Sequence, residues 1–249
     1  MSAPAGSLPS VATRLGVELR LTARRAENLL AMLVIPVAVL VFFVWLGIPA
    51  TEPEPVVFLL PGVLALAIVA SGLVNLGIAT AYERHYGVLK RLGGSPLTRG
   101  QLIAAKVGAI VAFEALQVVL LLVIAAGFLG WSPTGPVIPP LLVAGVLLGT
   151  AAFAGLGLLL AGTLRAEATL ALANGLFLAS LILGGIVQPL DQLPGPLAAL
   201  AGLLPGAVLA ETLRVALGSA TGDVTPSLAV LAAWAAALPV AAARTFHWD

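Results

Sequence analysis

The chain has 249 residues, of which 60% are apolar and only 9% charged, with a formal net charge of +1. Mean hydropathy is +1.11, and a soluble domain, in which roughly a quarter of the residues are charged, could not hide that much apolar surface from water. The absence of cysteine excludes disulfides and thiolate metal sites, and two histidines, His85 and His247, are too few for a protein-built zinc or haem centre. No cofactor is therefore expected in this chain. The nearest approach to a phosphate-binding GxxxxGK[ST] loop, Gly100 to Lys106, lacks the second glycine and the hydroxyl residue, so nucleotide hydrolysis would belong to another chain. No nucleic-acid-binding module is visible.

Residues 1–28 precede the first long apolar run. Within them Val11, Leu15, Leu19 and Thr22 fall near one face, with Arg14, Arg20, Arg24 and Arg25 occupying much of the rest. This predicts an amphipathic helix lying in the headgroup layer, its arginines reaching anionic lipid. A plain basic flank that fixes topology accounts for the same residues. The apolar run that follows exceeds the ~7–15 residues of a signal-peptide core, so a spanning helix is expected there.

A helix needs about 20 mostly apolar residues to cross the hydrocarbon layer. Six stretches qualify: Leu29–Ile48, Val56–Ala81, Gln101–Gly130, Val137–Leu164, Thr169–Val187 and Val224–Ala243. Their apolar residues run continuously, without the period-two alternation of a membrane β-barrel. The expected fold is an all-α integral membrane protein, with a transmembrane domain over 29–243 and a short tail at 244–249. Eleven of the twelve basic residues fall on one side of these spans, Arg214 being the exception. The positive-inside rule makes that side cytoplasmic, with both termini on it.

The connection between spans two and three, YERHYGVLKRLGGSPLTRG at 82–100, predicts a short amphipathic helix. Tyr82, Tyr86 and Leu89 share one face, Glu83, Arg84, Lys90 and Arg91 cover the others, and Gly93-Gly94 ends it. Such an element suits a groove on a soluble partner; a solvated, positively charged connector is the plainer alternative. In span three Glu114 stands near mid-membrane, where a carboxylate is costly enough that it should face the bundle interior or water. Lys106, about 12 Å away along the helix axis, is expected to extend to the inner interface. A pathway role for Glu114, and a structural one with a polar partner such as Gln117, Asn75 or Asn174, are both open. Span four carries Gly145, Gly149, Gly155, Gly157 and Gly162, which predict close helix approach, chiefly within the chain. Residues 188–223 are too apolar for a free loop and too rich in proline and glycine for one helix. They predict an external re-entrant hairpin over about 188–214, since broken backbone at membrane depth must be buried in protein or line a cavity. Glu211 and Arg214 can pair at i, i+3; a packed external cap with a surface ion pair is the alternative.

In its order of elements the chain resembles the membrane subunits of type-2 ABC exporters, the ABC-2 permeases. The resemblance rests on the basic N-terminal segment followed by ENLLAMLVIPVAVLVFF at 27–43, and on Glu83-Arg84 with Gly87-Val88-Leu89-Lys90-Arg91-Leu92 and Ser95-Pro96-Leu97-Thr98-Arg99. It continues in Gln188-Pro189-Leu190-Asp191-Gln192-Leu193-Pro194, Leu204-Pro205 and the terminal Arg244 to Asp249. His85, Tyr86, Val88 and Ser95 depart from the family's usual residues. The resemblance implies an elbow helix on the inner leaflet and a coupling helix at about 82–92, in which Tyr82, Glu83, Arg84, Gly87, Leu89, Lys90, Arg91 and Leu92 engage an ATPase. Two cytoplasmic ABC ATPase subunits would bind ATP and Mg, and a second copy or a homologous permease would complete the transporter among membrane lipids. Glu114, Asn174, Glu211 and Arg214 are the candidate pathway or gate residues. The expected activity is export of a hydrophobic or amphipathic substrate such as a drug, antibiotic, lipid or glycolipid, with no catalysis by this chain. An ion- or proton-coupled secondary transporter using Glu114, and a membrane scaffold without a transport cycle, are the competing classes.

Overall fold

The computed structural model describes residues 26–48, 54–88, 99–186 and 189–245, with side chains omitted for 26–31, Arg99 and Asp191. The expected elbow helix, the loop residues 89–98, Gln188 and the tail beyond Thr245 lie outside the described residues. Among those described, every regular element is helical. The first helix, α1 (Ala26–Leu46), has the ~20 residues that a crossing requires. Span two is continuous from Pro55 to His85: α2 (Pro55–Val69), a π-helical stretch Ala70–Leu76, and α3 (Gly77–His85). Then follow α4 (Arg99–Phe128), α5 (Pro139–Thr163), α6 (Ala166–Leu183), the short pair α7 (Gly195–Ala201) and α8 (Pro205–Ala216), and α9 (Thr225–Thr245). Span two, α4, α5, α6 and α9 are each long and apolar enough to cross a membrane. With α1 they make the six expected crossings, each boundary within a few residues of its expected place. Arg84, Arg165 and Arg244 gather at one end of the bundle, the basic end.

The spans are not equivalent. In its most apolar window span two is 89% buried inside the chain, against 17% for α6 and 22% for α9. Span two is the core, wrapped by α1, α4, α5, α6 and α8. The outer helices turn large apolar side chains outward, among them Phe42, Trp45, Val123, Phe128 and Ile182, as lipid requires.

Membrane helices gain little from hydrophobic association, so small residues that permit close packing decide which ones meet. The glycines of α5 serve this purpose inside the chain, as expected. A Cβ on Gly157 would stand 2.5 Å from the Gly72 carbonyl oxygen, and one on Gly77 would stand 2.9 Å from the Gly157 Cα. The contact falls on and just after the π-helical stretch. Gly149 receives Leu209 of α8, and a Cβ on Gly155 would lie 2.6 Å from the backbone nitrogen of Pro239 in α9.

The pair α7–α8 bends by 79° and is a re-entrant hairpin by its contacts. Leu190, before it, packs on Gly185 at the end of α6. Beyond α8, the Gly218 carbonyl accepts from the Gly135 backbone N–H at 2.8 Å, in the α4–α5 connection. Both ends therefore lie at the end of the bundle opposite the basic one. The tip lies deeper: Trp234 Nε1 donates to the Leu203 carbonyl at 3.0 Å, and Trp234 is nine residues into α9, about 13 Å along its axis.

Gly157→Val is expected to destabilise the protein by about 1–3 kcal/mol through overpacking, seen as a lower unfolding midpoint in nanodiscs. Gly127→Ala, where an added Cβ meets nothing within 4 Å, is expected to leave the midpoint in place.

Candidate functional site

The basic end of span two concentrates the polar chemistry. The helix expected to start afresh at Tyr82 is instead the last turn of span two. It runs to His85, the chain turns at Tyr86 and Gly87, and Val88 is helical again; the expected end at Gly93-Gly94 lies outside the described residues. Gly87 has φ of +69°, a left-handed conformation that glycine adopts without a Cβ penalty. Tyr82 and Tyr86 share a face as expected, with ring centroids 6.1 Å apart, and Tyr86 is exposed. Leu89, Lys90, Arg91 and Leu92 lie outside the described residues.

Two polar contacts fasten this turn to neighbouring spans. The Arg84 guanidinium donates to the Leu164 carbonyl, the C-cap position of α5, where the free carbonyls and negative helix end favour a cation. Lys106 does not reach out to the interface as expected. It is buried at 6% exposure, and its Nζ stands 3.0 Å from Glu83 Oε1 and 2.8 Å from Oε2. The reason is geometric: span two continues past Ala81 as helix, which carries Glu83 alongside α4 and gives the ammonium a nearer partner than solvent.

Above this anchor a groove of about 480 Å³ follows one side of span two. It is lined by Val74, Asn75, Ile78, Ala79, Tyr82, Glu83, Tyr86 and Val88. Asn75 belongs to the π-helical stretch and is exposed, whereas Ser71, Gly72, Leu73 and Leu76 of the same stretch are buried. A π turn adds a residue to the helical repeat and rotates the face that follows. From Asn75 to Tyr86 the groove covers about 17 Å of helix. It joins a polar amide at membrane depth to the turn at the basic end.

The remaining expected site residues are dispersed. Glu114 is buried between α4 and α5, and its partner is Thr150, hydrogen-bonded through Oγ1 to Oε2, not Gln117, Asn75 or Asn174. Gln117 donates to the Met32 carbonyl of α1. Asn174 is exposed on α6 and donates to the Leu170 carbonyl of its own helix at 2.8 Å. Glu211 and Arg214 do pair, at 3.6 Å, but this is no surface pair on both sides. Arg214 is 7% exposed, donates to the Gly185 carbonyl, and sits 4.3 Å from the centroid of the Phe58 ring. It ties α8 to α6 and to the first turn of α2. Thr150, Lys106 as an ion-pair partner and Asn75 as a groove residue escaped the sequence reading, since each depends on which helices are neighbours. Only the i, i+3 spacing of Glu211 and Arg214 was a local signal.

Long apolar helices around a buried central span, with a re-entrant hairpin at one end and a polar anchor at the other, define a multi-pass membrane protein. Residues 14–217 match the family described as ABC-2 type transporter. The chain belongs to that family, and it is a membrane permease subunit of an ABC-type transporter. Membership implies association with ABC ATPase subunits. A comparison with curated protein sequences returned no match.

Glu83→Gln takes the counter-charge from a buried ammonium and is expected to destabilise more than Lys106→Met, which leaves a partly exposed carboxylate. A double-mutant cycle on unfolding midpoints should return a coupling on the order of 1 kcal/mol.

Proposed function

We propose that this chain is the permease of an ATP-driven exporter moving a hydrophobic or amphipathic molecule out of the cytoplasm or its inner leaflet. The basic end is cytoplasmic, by the retention of Lys and Arg on that side, and both termini lie there. Two ABC ATPase subunits, which bind ATP and Mg, engage the segment 82–92. A second copy of the chain or a homologous permease completes the pathway.

The observation that carries this reading is the anchoring of Tyr82 to Gly87. This turn is one piece with span two, is bound to α5 through Arg84 and to α4 through Glu83, and opens onto the groove that rises to Asn75. A push on the turn from an ATPase therefore moves three spans together and changes the groove at the same time. Leu89, Lys90 and Arg91 supply contact with the ATPase, and Gly87 supplies the bend that presents them. The groove's Val74, Ile78 and Ala79 suit the apolar body of a drug, lipid or glycolipid, and Asn75 suits one hydrogen-bonding group on it. At the opposite end, Arg214 and Glu211 hold the hairpin as the gate through which substrate leaves.

The test is transport in proteoliposomes containing the permease and its ATPase. Leu89→Asp and Arg91→Glu are expected to lower ATP-driven transport at least tenfold, about 1.4 kcal/mol of coupling, with membrane insertion and unfolding midpoint unchanged. Transport that survived removal of the ATPase and collapsed with the proton gradient would instead establish a proton-coupled carrier.

A further inference from the structure

One buried contact contains more proton acceptors than protons if its carboxyl is charged. Glu114 of α4 and Thr150 of α5 are each 1% exposed, and they are hydrogen-bonded through Thr150 Oγ1 and Glu114 Oε2. The same Oγ1 lies 2.8 Å from the Val146 carbonyl, one turn back in α5. A threonine hydroxyl has one proton to donate, while a carbonyl and an ionised carboxylate only accept. The hydroxyl can satisfy one of the two. Threonine inside a helix commonly bonds the carbonyl four residues back, and then the other bond needs a proton from the carboxyl.

The surroundings agree. Glu114 Oε1 is buried with no hydrogen-bond partner among the described residues, a poor setting for a charge, which needs pairing and full hydrogen bonding away from water. Nor does a cation face it among the described residues. No ionisable residue occurs in α5 or in span two from Pro55 to Leu76, and α1 contributes only Glu27. On α4 itself Lys106 is eight residues nearer the basic end, about 12 Å along the axis, and lies against Glu83.

We propose that Glu114 is a neutral carboxylic acid whose proton goes to Thr150 Oγ1 while Thr150 donates to the Val146 carbonyl. This two-proton relay fastens α4 to α5 without placing a charge in the membrane. Gln117, one turn further along the same face, fastens α4 to α1 through the Met32 carbonyl. The pair holds an otherwise lipid-exposed helix from both sides.

Infrared spectroscopy of the full-length protein in lipid nanodiscs at neutral pH tests the relay. The wild type should show the carbonyl band of a protonated carboxyl, and Glu114→Gln should remove it. Thr150→Val should move the band to higher frequency, because the acid O–H loses its acceptor. Glu114→Gln keeps a donor and an acceptor in place and should preserve the unfolding midpoint and ATP-driven transport, while Glu114→Ala should lower the midpoint. The proposal is overturned if the wild type shows no such band, or if Glu114→Gln leaves the band unchanged. Should Glu114→Gln fail to fold, a wild-type sample carrying ¹³C at its glutamate carboxyls decides the matter. A band that shifts with the label and moves again in Thr150→Val supports the relay; a band indifferent to either change refutes it.

Discussion

A helix can be surrounded on nearly every side within one membrane chain only if some neighbour gives up its side chains. In lipid there is little hydrophobic gain from bringing helices together, and association depends on packing and on polar contacts. Here the concession is made where span two meets α5. Gly72, Gly77 and Gly157 bring the two backbones to a separation that no Cβ would permit. The remaining spans can then wrap around span two, and the bulk that α5 lacks leaves room for Leu209 of the hairpin and for Pro239 of α9. The π-helical stretch lies at this crossing and sets the direction in which Asn75 points.

Polar contacts then join the spans at three levels. At the basic end Arg84 and the Glu83–Lys106 pair link span two with α5 and α4. At mid-membrane Glu114 and Gln117 hold α4 to α5 and α1. At the opposite end Arg214 binds the hairpin to α6 and α2. Each contact is between different helices, and each satisfies groups that lipid cannot. Two of the three levels include span two, so motion introduced at its basic end has a direct mechanical route along a stiff helix. The hairpin, built from two short helices with a 79° bend, is the piece with the least continuous backbone and the natural place for displacement.

Much of this architecture was legible before any coordinates. The apolar runs declared the spans, since nothing else in a chain with so few charges could occupy them. Proline and glycine between 188 and 205 showed that this segment could not be a single helix, and its apolar character showed that it could not stay in water. The glycines of α5 signalled close internal contacts, and Glu211 with Arg214 signalled a local pair. The end of span two was placed too early, at Ala81 instead of His85, because Glu83, Arg84 and His85 are polar. Hydropathy marks where a helix leaves lipid, not where its hydrogen bonds stop.

By itself, then, the sequence determined the class of protein, the order of its spans, the side on which its basic residues gather and the broken segment before the last crossing. These follow from local quantities, namely the length of apolar runs, breaker residues and charge counts, to which the bilayer responds residue by residue. Tertiary structure alone decided that span two is the core, that Lys106 faces Glu83, that Glu114 meets Thr150, and that Asn75 opens onto a groove. Those outcomes depend on the rotation of each helix about its axis and on which neighbour it meets. With lipid equally apolar on every side, small residues and polar partners on other helices set that rotation, and sequence periodicity cannot.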